Sequence, residues 1–209
     1  MVDTESIDVP EISAEWYRDV VDAAARSPEP VRWFVGHATE GVILLLGALL
    51  LLAALSRWSG GPHGRALALI APLPAVLAYA GSEWFKTVVD EERPCRTIGR
   101  AIIADVCPPT GDWSFPSNHA TIAGALAVTT LLLSRRIGLV ALPLAALGAF
   151  SRVFVGVHYP HDVIAGVLFG ALVAVVATPL LTRPATEVLR RRAERADDPV
   201  AKLASRSRP

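Results

Sequence analysis

The chain has 209 residues, 52% hydrophobic but only 7% aromatic, and a mean hydropathy of +0.42. Ala, Leu and Val supply most of the apolar content in near-continuous blocks longer than a core strand or an amphipathic helix needs, which argues against a soluble domain and for a membrane one. Its 20 basic and 20 acidic residues cancel, but they are segregated along the chain, and no nucleic-acid partner is expected.

Residues 1–30 are rich in acids, and Trp16, Val20 and Ala24 share one helical face. An interfacial helix and an ordinary solvated helix are both consistent with that spacing. No short basic leader with an apolar core opens the sequence, so the spans themselves are expected to direct insertion. Trp33 and Phe34 read as surface anchors before the first span, Gly41 to Leu55, which is expected to start a few residues earlier. The second span, Ala66 to Phe85, is expected to bend at Pro72 and Pro74 without ending. A polar segment from Lys86 to His119 is too long for a tight turn and reads as a functional loop. Ala120 to Leu133 and Ile137 to Phe150 are the third and fourth spans, separated only by Ser134, Arg135 and Arg136. Both are short for a bilayer core of about 30 Å and should recruit flanking residues. The fifth span is Val163 to Leu181, and a basic tail with Arg190, Arg191, Arg192 and Arg195 follows.

The expected fold is therefore all-α, a polytopic transmembrane helix bundle of about five spans. Residues 1–37 form an acidic N-terminal segment, 38–182 the membrane domain and 183–209 the basic tail. Five spans place the N-terminus, the Lys86–His119 loop and the Ser151–Asp162 loop on one side. Arg57, Arg65, Arg135, Arg136, Arg183 and the tail fall on the other, which the positive-inside rule assigns to the cytoplasm. Cys95 and Cys107 both lie in the outer loop. In an oxidising compartment they can pair, closing a loop of about 13 residues worth about 3 kcal/mol, the alternative being two free thiols.

Three polar clusters then meet at membrane ends on the outer side: Lys86 with Arg93 and Pro94; Pro116, Ser117, Asn118 and His119; and Ser151, Arg152, His158 and Asp162. For any one Lys or Arg, snorkelling to the headgroups is an adequate account. Together they are chemically complementary, and charges gathered at span ends point to a site. Lys86, Arg93 and Arg152 suit a phosphate dianion and its transition state, and Ser117 with the first amides of the third helix adds donors at a positive helix end. His158 has Asp162 four residues on, a spacing that lets the carboxylate fix the imidazole tautomer, so His158 is the better nucleophile. His119 is the better general acid. His37, His63 and His161 read as surface or capping residues. A metal site built from His158, His161, Asp162 and His119 is the rival use; three cations in the same pocket oppose it, and neither metal nor cofactor is expected.

These motifs, Lys86-x6-Arg93-Pro94, Pro116-Ser117-Asn118-His119 and Ser151-Arg152-x5-His158-x3-Asp162, in this order with helices between them, resemble those of the type 2 phosphatidic acid phosphatase superfamily. That family shares its active site with vanadium haloperoxidases. With the flanking spans the resemblance covers roughly Gly41 to Leu181. It implies an all-helical bundle with phosphate held by Lys86, Arg93, Ser117 and Arg152, phosphorylation of His158, and protonation of the leaving group by His119. Asn118 stands where the family more often has glycine. Its amide is expected to point inward, and its side chain to narrow the pocket. Asp90, Glu91 and Glu92 lie inside the first motif but outside its chemistry, as a solvated face or as partners of nearby arginines, with headgroup recognition the sharper alternative.

The expected activity is metal-independent hydrolysis of a lipid phosphate monoester or diphosphate in the plasma membrane, with the site extracytoplasmic and the C-terminus cytoplasmic. Polyprenyl diphosphate, phosphatidylglycerophosphate or phosphatidate, and a polyprenyl-linked sugar phosphate are the candidate substrates. Phosphotransfer through the same intermediate is a second reading. A transporter or non-catalytic lipid-phosphate binder is a third, disfavoured because the charges gather at one surface instead of the bilayer midplane.

Overall fold

The computed structural model describes residues 9–99, 103 and 107–197. Among them there are helices and no strands: α1 (Glu11–Arg26), α2 (Glu29–Arg57), α3 (Gly61–Ile70), α4 (Leu73–Lys86), α5 (Pro94–Thr97), α6 (Asn118–Leu133), α7 (Arg135–Phe154) and α8 (Pro160–Asp197). Four segments are long and apolar enough to cross a membrane: Glu29–Arg57, Gly61–Lys86, Arg135–Phe154 and Pro160–Arg195. The fifth apolar helix, α6, is shorter, about 24 Å at 1.5 Å per residue. It packs against α2, α4, α7 and α8, so its sides meet protein rather than lipid, and Ala120, Ala123, Gly124, Ala127 and Leu133 are among its buried residues. Leu44, Leu51, Leu139, Leu147, Leu168 and Leu172 on the surrounding helices face outward, an apolar belt suited to a bilayer.

Close approach of α6 and α8 sets the site. Without water to drive association, helices in membranes pack through small residues. A Cβ on Gly170 would stand 2.0 Å from the Thr121 carbonyl oxygen, and one on Gly166 2.6 Å from that of Ser117. The two glycines, four apart on α8, let the N-terminal ends of α6 and α8 lie together. The second and third motifs thereby become neighbours.

The second span continues through its prolines as one segment, Gly61–Lys86. Pro72 and Pro74 remove two helix donors in three residues, which divides it into α3 and α4, while Ala71 and Pro72 between them keep helical dihedrals. The divisions at 37/38 and 182/183 fall inside α2 and α8, which run through them without interruption. The N-terminal helix forms, but its buried stripe is Ser13, Tyr17, Val21 and Ala24, while Trp16 is exposed. That stripe is anchored by Tyr17, whose hydroxyl donates to the Gly156 carbonyl at 2.9 Å and whose ring lies 5.5 Å from that of Tyr159. Helix α1 thus docks on the loop between α7 and α8.

Candidate active site

The three motifs sit at one end of the bundle, carried by the C-terminus of α4 and the loop after it, the N-terminus of α6, and the α7–α8 connection. His158 is at the centre, 2% exposed. Its Nδ1 is 3.3 Å from Asp162 Oδ2 and 3.3 Å from Ser114 Oγ, while Nε2 faces Arg93 Nη1 at 3.0 Å. A guanidinium only donates, so Nε2 is the acceptor and Nδ1 carries the proton toward Asp162. Burial pushes the imidazole down to about 3, with the Arg93 and Arg152 charges adding to the effect and Asp162 opposing it. The ring is therefore neutral, with its lone pair on Nε2. Asp162 is completely buried, and its Oδ2 also accepts from Ser114 Oγ at 2.5 Å and from the Tyr159 amide at 2.8 Å.

The cationic residues are brought together as expected, but the chain's own carboxylates meet them. Asp112 Oδ1 accepts from Lys86 Nζ at 3.0 Å and from Arg93 Nη2 at 2.9 Å, and Arg93 Nε donates to the Asp112 carbonyl at 2.7 Å. Burial works to raise the Asp112 carboxyl, yet the hydrogen bonds and charges of Lys86 and Arg93 outweigh it and hold it below the ordinary carboxylate value. On the other flank, Glu40 of α2 takes His119 Nε2 at 2.9 and 3.0 Å and Arg152 Nη1 at 3.4 Å. Thr39 Oγ1 accepts from Ser151 Oγ at 2.9 Å and from Arg152 Nη1 at 3.2 Å.

Ser117 is fully buried and caps α6, its Oγ accepting from the Ala120 amide at 3.5 Å and its own amide donating to the Asp162 carbonyl at 3.1 Å. Asn118 begins α6 in helical geometry, and its side chain turns toward α4, accepting from Ser82 Oγ at 2.8 Å and donating to Glu83. The expected narrowing of the pocket by Asn118 is therefore replaced by a link between α6 and α4. Cys95 and Cys107 are disulfide-bonded, with Cα atoms 6.0 Å apart.

Two readings from the sequence are corrected. His161 is not a surface or capping residue: Nε2 lies 2.9 Å from Glu91 Oε2 and 3.2 Å from Asp162 Oδ1. Glu91, correspondingly, is buried against a histidine rather than solvated or paired with an arginine, while Asp90 is exposed and Glu92 pairs with Arg96 at 3.6 Å. Metal-type ligand atoms come within 4.8 Å of one another in Glu91, His161 and Asp162, a set that excludes His119 and His158. His37 and His63 stay at the surface, on Trp33 and Thr186.

Glu40, Asp112 and Ser114 were not singled out from the sequence. Glu40 had a usable signal, an acid at the edge of an apolar run. Asp112 and Ser114 sit just before the second motif, but nothing in their spacing says which way they face.

The sequence model of the PAP2 superfamily matches residues 65–184. Over 106 residues, 50% of this chain and 50% of the relative, the chain is 36% identical to an undecaprenyl-diphosphatase of Sulfolobus acidocaldarius. It is 36% identical over 137 residues, 65% of this chain and 67% of the relative, to a decaprenylphosphoryl-5-phosphoribose phosphatase of Mycobacterium tuberculosis. The match thus spans half of the archaeal relative and about two thirds of the mycobacterial one. In fold it is similar to a phosphatidylglycerolphosphate phosphatase of Bacillus subtilis, with a TM-score of 0.58 at 19% identity over 82% of this chain and 87% of that one. It is likewise similar to LpxE of Aquifex aeolicus, with a TM-score of 0.58 at 20% identity over 81% and 96%.

Proposed function

The chain belongs to the PAP2 superfamily, and on that basis we propose that it is an integral membrane lipid phosphatase working through a phosphohistidine on His158. The observation that carries this reading is the His158 ring itself: neutral, with Nδ1 turned to Asp162 and Nε2 turned into the cluster of Lys86, Arg93 and Arg152. That is an imidazole arranged to attack phosphorus and to have its growing positive charge met by a carboxylate.

In this mechanism Lys86, Arg93 and Arg152 take the phosphoryl oxygens, joined by the Ser117 hydroxyl and the first amides of α6, including that of Asn118. The Nε2 lone pair forms the P–N bond as the P–O bond to the leaving group breaks, and His119 gives its proton to the departing oxygen. His119, now neutral, takes a proton from water as that water attacks phosphorus. The P–N bond breaks, inorganic phosphate leaves, and Nε2 regains its lone pair. No step is assigned to a metal.

The lipid character of the substrate is supported by the site's place at the end of an apolar bundle. A groove of about 610 Å³ between α2 and α7, lined by Phe34, Val35, Val42, Leu147 and Phe154, reaches Ser151 beside Arg152. Relatives named for undecaprenyl diphosphate and for decaprenylphosphoryl-5-phosphoribose make polyprenyl-linked substrates the first choice, ahead of phosphatidylglycerophosphate and phosphatidate. An extracytoplasmic site is supported by the Cys95–Cys107 bond and by Arg57, Arg65, Arg135, Arg136 and Arg183 at the far end. Labelling of a T110C variant by an impermeant thiol reagent in intact cells checks this side.

The decisive assay is phosphate release from a panel of these lipids by the purified protein in detergent with EDTA. Replacing His158 with Ala should abolish turnover and the acid-labile, alkali-stable phosphoenzyme together. Retained turnover in that variant, or loss of wild-type activity in EDTA, contradicts the mechanism.

A further inference from the structure

Behind the nucleophile lies a closed circuit of four residues from three parts of the chain, one of its links being between backbone atoms. The Glu91 carbonyl accepts from the Ser114 amide at 2.8 Å. Ser114 Oγ donates to Asp162 Oδ2 at 2.5 Å. Asp162 Oδ1 faces His161 Nε2 at 3.2 Å, and the same Nε2 lies 2.9 Å from Glu91 Oε2. Carboxylates only accept, so Nε2 carries a proton, hydrogen-bonded to Glu91 Oε2 while the ring faces Asp162 Oδ1.

The imidazole is fixed on every side. Its Nδ1 is 2.7 Å from Ser13 Oγ on α1, and its amide donates to the same oxygen at 3.3 Å. Its ring stacks with Phe115 at 5.9 Å and with Tyr159 at 5.5 Å. Among the described residues no group donates a well-aligned hydrogen bond to Asp162 Oδ1. A buried carboxylate oxygen in that position is costly, and His161 is the polar group it faces. Without the imidazole, Oδ1 loses the polar group it faces, and the orientation of the carboxylate toward His158 Nδ1 is left to the Oδ2 contacts with Ser114 and Tyr159.

We infer that His161, backed by Glu91, is a positioning residue that locks the Asp162 carboxylate so that Oδ2 stays on His158. This rests on the reading of His158 as nucleophile. Helix α1, which lies outside the family-matched segment 65–184, enters the same circuit through Ser13.

The test uses the full chain in detergent with a long-chain polyprenyl diphosphate. His161→Ala should lower kcat about 10- to 100-fold, as loss of an outer-shell partner does, with KM little changed because the phosphate donors are untouched. His161→Gln, whose amide nitrogen reaches the Nε2 position, should restore most of the rate. His161→Ala combined with Glu91→Ala should be no slower than His161→Ala alone, since Glu91 acts through His161. An undiminished kcat in His161→Ala, a Gln variant as slow as Ala at equal melting temperature, or multiplying losses would overturn the inference. So would an EDTA-treated wild type as slow as His161→Ala, which would give the role to a divalent ion on Glu91, His161 and Asp162. His158→Ala in parallel separates the two readings: if it is dead while His161→Ala is fully active, only the positioning role fails.

Discussion

Asp112 Oδ1 lies 2.9 Å from Arg93 Nη2, so a carboxylate of the chain itself holds a donor that the proposed mechanism assigns to phosphate. The same oxygen also takes Lys86. A substrate phosphate has to displace it. Asp112 is about two fifths exposed, so solvent screening keeps the pair at about 1 kcal/mol. Replacing Asp112 with Asn should therefore tighten competitive inhibition by inorganic phosphate about fivefold, since about 1.4 kcal/mol corresponds to tenfold. Inhibition constants for the two proteins check it, and an unchanged value would mean that Asp112 does not compete.

Glu40 grips the His119 imidazole through both carboxylate oxygens. A general acid matters most when the leaving oxygen is strongly basic. His119→Ala should cost about 100-fold or more with an alkyl phosphate or prenyl phosphate, yet little with p-nitrophenyl phosphate. Glu40→Gln should show the same leaving-group pattern with a smaller loss, because the imidazole stays but its partner no longer carries charge. Equal losses on both substrates would move these residues from acid catalysis to binding.

Burial pushes the His158 imidazole down to about 3 in the folded chain, against an ordinary value of 6.5. Between those values the unfolded chain binds a proton that the folded one excludes, so stability rises with pH across that window. The contribution is intact above 6.5 and falls away as pH drops toward 3. Replacing His158 with Asn should flatten the decline in melting temperature between about pH 6.5 and 4. Thermal unfolding in detergent over that range measures the difference in slope.

A Cβ on Gly170 would meet the Thr121 backbone, not a flexible side chain, so the helices must separate to admit one. Gly170→Val should destabilise by about 1–3 kcal/mol and should lower kcat as well, because α6 carries His119 and α8 carries Asp162, the partner of His158, into the site. Melting temperature and turnover should fall together. A variant with full activity would show that this contact does not set the catalytic spacing.

From the sequence alone, the length and content of the apolar runs were enough to set the class of fold. The order of Lys86, Arg93, Ser117, His119, Arg152, His158 and Asp162 was enough to propose a phosphate site at one end of it, because span length and motif spacing are local properties. Local spacing also gave the His158–Asp162 pair, four residues apart. It could not supply partners far along the chain, such as Glu40 with His119 or Ser13 with His161, whose sequence separations are 79 and 148. Those outcomes were decided by tertiary packing: glycines that bring α6 against α8, and buried charges that must each find a partner. The proposed phosphate cradle was legible as a set of cations, and only the folded chain shows Asp112 and Glu40 holding them, and Glu91 with His161 standing behind His158.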